Sequence, residues 1–302
     1  MGEALFVAGA WGGKGMTAWL LGEGGVVLDK ITSELGLKAV ENRDFSAALR
    51  GACAPWLGRN PALPFVLSGM VGARGGWQEV PYASCPLDLD DLVRSAARLY
   101  AGMSPVMLLP GAIFRRADGH ADVMRGEELQ VLGIAGTLGI HDASVVIPGT
   151  HAKSAIIERG RLVSFKTYAT GELFDLLMSG GLVGGLAQGN DFDAWAFEDG
   201  VRRGAAETLS HAIFAARASV LGDHLKAGSV ASYLSGVLIG AELGDLVAAP
   251  DQPILLLASG LLADRYGMAL DALGLPFQLV DAKDAALAGF QALAPLAMDI
   301  VA

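Results

Sequence analysis

The feature that most constrains the fold is a set of three short apolar strand patterns, joined by glycine or polar turns, that occurs twice. The first set lies at residues 4–11, 16–21 and 26–31, and the second at residues 145–147, 154–158 and 162–165. Further helix and strand patterns follow each set, which is typical of mixed sheets with crossover helices. We therefore predict an α/β protein of two similar domains, residues 1–120 and 121–302, around a central cleft that is a favoured place for a ligand.

Other segments carry predictions that depend on their helical periodicity. Residues 45–57 and 89–100 are predicted to be helices, and the polar residues 115–120 are predicted to link the domains. A long apolar helix is predicted at residues 230–246, where Gly236 and Gly240 allow close packing, either in the core or at the face of a homodimer. The last helix pattern, at residues 285–296, belongs to the C-terminal domain or packs back on the N-terminal one.

The charge and cysteine content exclude several classes of protein. A net charge of −10 and a pI near 4.9 argue against a nucleic-acid partner, and an anionic substrate would need a locally basic pocket. Cys53 and Cys85 have no metal-type spacing and are expected to be free thiols in a reducing compartment. No signal peptide or bilayer-spanning stretch is indicated, so the sequence predicts a cytoplasmic protein. No zinc motif is formed by the spacings of His120, His141, His151, His211 and His224.

A dense cluster of charged residues, followed by a strand that ends in a glycine turn, predicts a phosphoryl-transfer site. The cluster is Asp122, Arg125, Glu127 and Glu128, and the turn is Gly149-Thr150-His151-Ala152-Lys153. Transfer of a phosphoryl group to a hydroxyl needs a base for the proton and an amide-lined seat for the phosphate. Asp122 is the predicted base, and Lys153 is predicted to neutralise phosphate charge. The structural alternatives are a capped helix and an ordinary strand-turn, with a solvated Lys153 and a structural His151.

Two more glycine-rich segments are candidate binding loops. The turn Gly12-Gly13-Lys14 is compatible with a phosphate seat or a plain β-turn, although it fails the Walker A pattern because position 8 is Ala and position 15 is Gly. The loop of residues 69–77 is either a mobile surface loop or a substrate loop. In the second case its glycines permit close backbone approach, Arg74 pairs with a carboxylate and Trp77 forms a wall for a sugar.

Nearly the whole chain resembles the 2-dehydro-3-deoxygalactonokinase family, which are sugar-acid kinases of the actin-like (ribonuclease H-like) ATPase superfamily. The resemblance is carried by ordered segments at residues 67–77, 122–128, 148–153, 170–173, 234–242 and 262–266. It implies two actin-like domains with mixed βββαβαβα sheets. It also implies ATP and Mg²⁺ as cofactors, and transfer of the γ-phosphoryl group to the 6-hydroxyl of 2-dehydro-3-deoxy-D-galactonate in galactonate catabolism.

The resemblance also implies roles for particular residues. Asp122 falls where the superfamily has the base that acts on the substrate hydroxyl, and Gly149-Thr150 falls at the second phosphate loop. Ser259 and Gly260 fall where the adenosine is held. From their chemistry we add the remaining candidates. For the substrate these are Gly69, Met70, Val71, Arg74, Trp77, Arg125 and Glu127, and for the nucleotide they are Gly12, Gly13, Lys14, His151 and Lys153.

The first phosphate loop departs from the family pattern. The family has an acid that helps hold Mg²⁺, a hydroxyl residue and an arginine where this chain has Ala10, Gly13 and Thr17. Losing a metal-organising carboxylate costs several kcal/mol of transition-state stabilisation. Three hypotheses follow: an active sugar-acid kinase, a catalytically weakened or inactive relative that binds ligand, or a hydrolase of phosphorylated sugar acids.

Overall fold

The computed structural model describes residues 3–189, 191–247 and 252–297 of the chain. The strands are β1 (Ala4–Trp11), β2 (Met16–Gly22), β3 (Val27–Ser33), β4 (Phe65–Ser68), β5 (Ala83–Ser84), β6 (Ala97–Ala101), β7 (Ser104–Leu108), β8 (Ala112–Arg115), β9 (Ala121–Met124), β10 (Ala143–Ile147), β11 (Ala152–Glu158), β12 (Arg161–Tyr168), β13 (Ile254–Leu257) and β14 (Phe277–Val280). The helices are α1 (Phe45–Ala52), α2 (Ala54–Leu57), α3 (Leu89–Arg94), α4 (Glu127–Leu138), α5 (Thr170–Ser179), α6 (Gly181–Gly184), α7 (Ala194–Ala206), α8 (Leu209–Leu221), α9 (Val230–Val247), α10 (Gly260–Ala272) and α11 (Ala282–Ala297).

The chain divides into two compact units. Within the described residues, unit 1 contains residues 3–141, 156–165 and 282–297, and unit 2 contains residues 142–155, 166–189, 191–247 and 252–281. This division groups residues 121–141 and α11 with the N-terminal residues, whereas the sequence pattern placed the boundary at residue 120.

The large sheet of unit 1 has the strand order β3-β2-β1-β4-β7-β6. β1 pairs antiparallel with β2 and parallel with β4, and the register aligns Ala10 with Ser68. The carboxyl ends of β1 and β4 therefore lie side by side. Apolar side chains such as Trp11, Phe65 and Leu67 are buried from both strands, which explains why these segments read as continuous hydrophobic runs.

The second sheet has the order β12-β11-β10-β13-β14, and β10, β13 and β14 are parallel. In both sheets the first strand of its set lies between the second strand and a parallel strand that comes later in the chain. This is the actin-like arrangement with mixed sheets that the sequence predicted. The α/β class is confirmed, while the central cleft stays a prediction.

The structure differs from the sequence prediction in three segments. Residues 89–100 are not one helix, because α3 ends at Arg94 and residues 97–101 form β6, which pairs antiparallel with β7. The predicted helix at 45–57 is interrupted at Cys53, where φ and ψ are −101° and 15°, just before Pro55 in the first turn of α2. The polar linker at 115–120 is the turn of the β8–β9 hairpin, which joins β5 in a small third sheet.

Helices α7 and α9 pack closely because glycines on both allow their backbones to approach. A Cβ on Gly236 would lie 2.0 Å from the carbonyl oxygen of Phe197, and one on Gly240 would lie 2.1 Å from that of Val201. Gly200 and Gly204 of α7 meet the backbone of α9 in the same way. The predicted close packing at Gly236 and Gly240 is confirmed, and their partner is another helix of the same chain.

Candidate functional site

A cavity of about 240 Å³ in unit 1 lies where the carboxyl ends of β1 and β4 meet the start of α4. Its wall includes Ala10, Gly12, Ser68, Gly69 and Glu127. Ligands in open α/β proteins bind at this end of the strands, because loops and helix starts replace the sheet there. The cavity is thus a geometrical candidate for a substrate site.

Arg125 is the cationic group of this cavity, and it is held in place by contacts that leave part of it available. Its Nη2 donates a hydrogen bond to the carbonyl oxygen of Val80 at 2.8 Å, and its guanidinium lies 4.4 Å from the ring centroid of Tyr82. Its Nε and Nη1 are buried and have no hydrogen-bond partner among the described residues, and the same is true of the hydroxyl of Ser68. Buried donors without partners are costly, so these atoms indicate a polar or anionic ligand.

Two neighbouring glutamates at the start of α4 have different environments. Glu127 lines the cavity, and its Oε2 accepts a hydrogen bond from the backbone N–H of Arg125 at 3.0 Å. Glu128 is fully buried, and both its carboxylate oxygens accept from the backbone N–H of Gly126 at 2.9 and 2.7 Å. Burial, helped by the nearby charge of Glu127, raises the pKa of Glu128 to about 8. Of these two acids, Glu127 is the one in reach of a ligand.

Asp122 lies on β9 and is not part of the cavity wall. Its Oδ2 accepts a hydrogen bond from Nη2 of Arg116 at 2.8 Å, and its side chain is 12% exposed. Only Val123 and Met124 lie between Asp122 and Arg125 in the sequence, yet Arg125 lines the cavity and Asp122 does not.

The predicted substrate loop at residues 69–77 divides between the cavity and the core. Gly69 and Met70 line the cavity, and Gly69 has a φ of 101°, which favours glycine. Val71 is buried in the hydrophobic core of unit 1, and Trp77 stacks on Phe45 with a centroid distance of 6.5 Å. Arg74 is exposed and does not line the cavity. The core packing of Val71 and Trp77 accounts for these two residues without a substrate.

The first glycine turn contributes one residue to the cavity. Gly12 lines it, and the backbone N–H of Gly12 donates to the carbonyl oxygen of Gly15 at 2.9 Å, which closes the β1–β2 hairpin. Gly13 and Lys14 lie at the exposed tip of this hairpin. The structure thus brings Gly12, Gly69, Met70, Arg125 and Glu127 together.

Unit 2 has a larger cavity, of about 590 Å³, at the start of α5. The predicted phosphate-loop residues Gly149 and Thr150 line one part of it. Apolar and aromatic side chains form much of the rest, and they come from α5, the segment before α7, and α10. The ring of Phe192 lies under the guanidinium of Arg265. A polar glycine turn beside an apolar chamber fits a ligand with a charged end and a flat apolar end.

The start of α5 is built directly on the phosphate loop. The backbone N–H of Glu172 donates to the carbonyl oxygen of Thr150 at 3.2 Å, and a Cβ on Gly171 would lie 2.8 Å from Cα of Thr150. His151 is exposed and bonds to the Glu172 carboxylate at 2.8 Å. Lys153 is buried, with its Nζ donating to the carbonyl oxygen of His151 at 2.8 Å. Neither His151 nor Lys153 lines the cavity, so both are adjacent to the loop rather than on its open face.

Sequence reasoning missed several residues of this cavity. Ser259 and Gly260 begin α10 but are not in the cavity wall, which instead includes Leu261, Leu262 and Arg265 of that helix. Ser232 and Ser235 of α9 also line it. These serines in the mostly apolar first half of α9 were a usable signal, because a core helix has little reason to carry them on one face.

The sequence predicted Mg²⁺ as a cofactor but did not identify the residues that bind it. Within the described ranges, no group of three or more His, Cys, Asp or Glu side chains is placed to hold a metal ion. Mg²⁺ in kinases is commonly bound by one or two carboxylates together with substrate phosphates. Thr150 and Asp175 line the same cavity as Gly149, and they supply one hydroxyl and one carboxylate as possible oxygen ligands.

Comparison with known proteins identifies the family. The family model described as 2-keto-3-deoxy-galactonokinase matches residues 10–293 of this chain. The chain belongs to this family. A probable 2-dehydro-3-deoxygalactonokinase of Rhizobium meliloti (strain 1021) is 34% identical over 296 residues, covering 96% of each chain. The 2-dehydro-3-deoxygalactonokinase of Escherichia coli (strain K12) is 31% identical over 294 residues, covering 96% of this chain and 98% of the relative.

Solved structures agree with this membership of the 2-keto-3-deoxy-galactonokinase family. The crystal structure of a candidate 2-dehydro-3-deoxygalactonokinase from Sinorhizobium meliloti superposes with a TM-score of 0.88 at 33% identity, covering 97% of this chain and 99% of that one. In the part of the chain that the structure describes, no helix is long and apolar enough to cross a membrane. The family is one of sugar-acid kinases, so the predicted kinase class is confirmed.

Proposed function

We propose that this protein transfers the γ-phosphoryl group of ATP to the 6-hydroxyl of 2-dehydro-3-deoxy-D-galactonate, in the cytoplasm. Family membership over residues 10–293 and the names of two relatives with 34% and 31% identity support the reaction. The structural observation that carries the proposal is the pair of buried, unpartnered donors on Arg125, because a sugar acid has a carboxylate that would satisfy them.

Arg125 is the proposed carboxylate-binding residue. The hydrogen bond from its Nη2 to Val80 and its contact with the ring of Tyr82 fix the guanidinium before substrate arrives, which reduces the cost of ordering it on binding. A charge-assisted hydrogen bond to a buried carboxylate is stronger than a neutral one. The hydroxyl of Ser68 would form a further hydrogen bond with the sugar acid, either as donor or as acceptor.

Glu127, rather than Asp122, is the proposed base. A general base must reach the proton that it removes, and Glu127 lines the cavity whereas Asp122 is bonded to Arg116 outside the cavity wall. In the reaction the proton of the sugar 6-hydroxyl would move to a carboxylate oxygen of Glu127 as the hydroxyl oxygen bonds to phosphorus and the bond to ADP breaks. The hydrogen bond from the backbone N–H of Arg125 orients this carboxylate.

The unit 2 cavity is the proposed nucleotide site. The backbone of Gly149 and Thr150 would hold phosphate oxygens, and the apolar chamber near Phe192 and Leu261 would hold the base. Mg²⁺ supplies neutralisation of phosphate charge when it is bound with the nucleotide. Thr150 and Asp175 are the side chains that would hold it there.

A coupled ADP-release assay with 2-dehydro-3-deoxy-D-galactonate, ATP and Mg²⁺ tests the reaction and the base together. Glu127→Gln should lower kcat by roughly 100-fold or more, the usual contribution of general base catalysis, with little change in substrate KM. Asp122→Asn should keep most of the activity, because Asp122 pairs with Arg116 and lies outside the cavity wall. The reverse ranking of these two variants would restore Asp122 as the base, and absence of turnover by the wild type would refute the kinase proposal.

The role of Arg125 has its own test. Arg125→Gln should raise the KM for the sugar acid by roughly tenfold or more and leave the KM for ATP nearly unchanged, because a charged hydrogen bond to the carboxylate is lost. Arg74→Gln is the matched comparison, since Arg74 was the competing candidate and is exposed outside the cavity. Equal effects of the two substitutions would contradict the assignment.

A further inference from the structure

A buried carboxylate in unit 2 has no role in the reaction described above. Glu242 of α9 is only 2% exposed. Its Oε2 accepts two hydrogen bonds, from the hydroxyl of Thr170 at 2.6 Å and from the hydroxyl of Tyr266 at 2.8 Å. Thr170 begins α5 and Tyr266 belongs to α10, and both line the cavity of about 590 Å³. One oxygen atom therefore ties three helices of this cavity together.

Thr170 connects this tie to the phosphate loop. It immediately precedes Gly171, whose backbone lies against Cα of Thr150 and the carbonyl oxygen of Gly149, so closely that a Cβ would meet them at 2.8 and 2.9 Å. The next residue, Glu172, donates its backbone N–H to Thr150. The position of the first turn of α5 thus determines where the loop lies, and Glu242 holds that turn by its side chain.

We propose that Glu242 is a positioning residue for nucleotide binding, which holds the start of α5 and α10 in the arrangement that places the Gly149–Thr150 loop. The inference rests on the proposed function in one respect, namely that the unit 2 cavity binds the nucleotide. Glu242 itself is not in the wall of that cavity and does not touch the ligand. Its effect passes through Thr170 and Tyr266, which line the cavity.

A carboxylate suits this position better than a neutral residue because both of its neighbours are hydroxyl donors. An ionised carboxylate only accepts hydrogen bonds, and it accepts them more strongly than a neutral carbonyl. Burial raises the pKa of Tyr266 well above its usual range, so its hydroxyl keeps the proton that it donates. The buried Lys153 on β11 supplies a positive charge that favours the ionised form of Glu242.

Glu242 also lies in the wall of a second cavity. Oε1 of Glu242 is buried and has no hydrogen-bond partner among the described residues. Glu242 and Thr170 lie in the wall of this cavity of about 640 Å³, together with the acidic Glu207 and Asp245. Burial raises the pKa of Glu242 to about 7, while the hydrogen bonds from Thr170 and Tyr266 and the charge of Lys153 oppose that rise. Oε1 is therefore the atom on which a proton can be added without displacing either hydroxyl.

Protonation of Glu242 consequently weakens the tie without breaking it. Above about pH 7 the ionised group accepts both hydroxyl hydrogen bonds at full strength, and below that pH Oε2 becomes a weaker, carbonyl-type acceptor. Nucleotide affinity is then expected to fall as the pH decreases through 7. The charged groups that bear on this titration are Lys153, Glu207 and Asp245, with Tyr266 protonated throughout.

The test is calorimetric titration of the full-length protein with ADP, without sugar acid, between pH 6 and pH 8.5. Glu242→Gln should raise the Kd for ADP roughly fivefold to tenfold at pH 8, since one charged acceptor becomes neutral, and should flatten the pH dependence seen in the wild type. Asp271→Asn, on the helix that carries Tyr266, is the control. Asp271 is exposed and lies in the wall of neither cavity, so the wild-type pH profile should persist.

A second variant keeps the proposal testable if Glu242→Gln lowers the stability of the fold. Thr170→Val has nearly the same shape, removes one hydroxyl donor, and should also raise the Kd for ADP severalfold. Wild-type affinity and an unchanged pH profile in both variants would overturn the positioning role while leaving the kinase proposal intact. Failure of the wild type to bind ADP or ATP at all would overturn both.

Discussion

The close packing of α7 on α9 allows a quantitative prediction about a single methyl group. In Gly240→Ala, the new Cβ would lie 2.1 Å from the carbonyl oxygen of Val201 and 2.8 Å from its Cα and carbonyl carbon. An ordinary contact between such atoms is about 3.5 Å, so the helices would have to separate by roughly 1 Å. Because the obstacle is backbone, rotation of a side chain cannot relieve it.

The expected loss of stability is the difference between two opposing effects. Overpacking typically costs about 1–3 kcal/mol, and a clash between backbones belongs near the upper end. Alanine is preferred over glycine inside a helix by about 0.8–1.0 kcal/mol, which offsets part of that cost. The net loss is then about 2 kcal/mol, and it corresponds to a decrease in Tm of roughly 4–8 °C for a domain of this size.

Urea unfolding and thermal unfolding followed by circular dichroism measure this effect, and the same helix provides the control. A Cβ on Gly244 would lie 3.3 Å from the carbonyl oxygen of Ala205, which needs only a small adjustment. Gly244→Ala should therefore be close to neutral. If Gly240→Ala unfolds at the same urea concentration and temperature as Gly244→Ala, the reasoning about backbone contact is refuted.

Three further substitutions test the electrostatics and the two loops. The pKa of Glu128 is about 8 in the folded protein, against about 4.5 in the unfolded chain. The folded state therefore keeps a proton between these two pH values that the unfolded chain releases. The free energy of unfolding should decrease as the pH rises through this window. Glu128→Gln should reduce that decrease in urea titrations, and an identical pH dependence in the two proteins would contradict the assignment. Ala10→Asp adds a carboxylate to the wall of the unit 1 cavity, and it should raise kcat by roughly tenfold if a Mg²⁺ ligand is missing there. An unchanged kcat and an unchanged dependence on Mg²⁺ would argue that the metal is held elsewhere. Gly171→Ala should raise the Kd for ADP severalfold with a small change in Tm, because its Cβ would displace Thr150, and unaltered ADP affinity would show that the loop tolerates this displacement.

The strands of the sheets were predicted well because their signals are local. β1 and β4 have the bounds that their apolar runs indicate, since a buried strand is apolar along its whole length. The error at residues 89–100 has the opposite cause. β6 alternates exposed and buried positions, and only its pairing with β7 distinguishes that alternation from the continuation of α3.

The candidate site likewise combines residues that the local sequence indicates with a choice that only the folded chain decides. Arg125 and Glu127 could be selected from the sequence because charged residues crowd around a glycine before an apolar helix. The choice between Asp122 and Glu127 depended on which carboxylate the chain turns towards the cavity. That orientation follows from Gly126, whose φ of 110° redirects the chain between β9 and α4.

The sequence by itself determined the family, the α/β class, and the glycines and charged residues from which the loops are made. These are properties of local patterns and of motifs matched in order along the chain. Only the tertiary structure decided which of these residues share a cavity, that Trp77 and Val71 pack in the core, and that Glu242 joins Thr170 to Tyr266 across 72 and 24 residues of sequence. The physical reason is that burial and hydrogen bonding act between atoms that are close in space, and contacts across such separations form only when the sheets and helices have assembled.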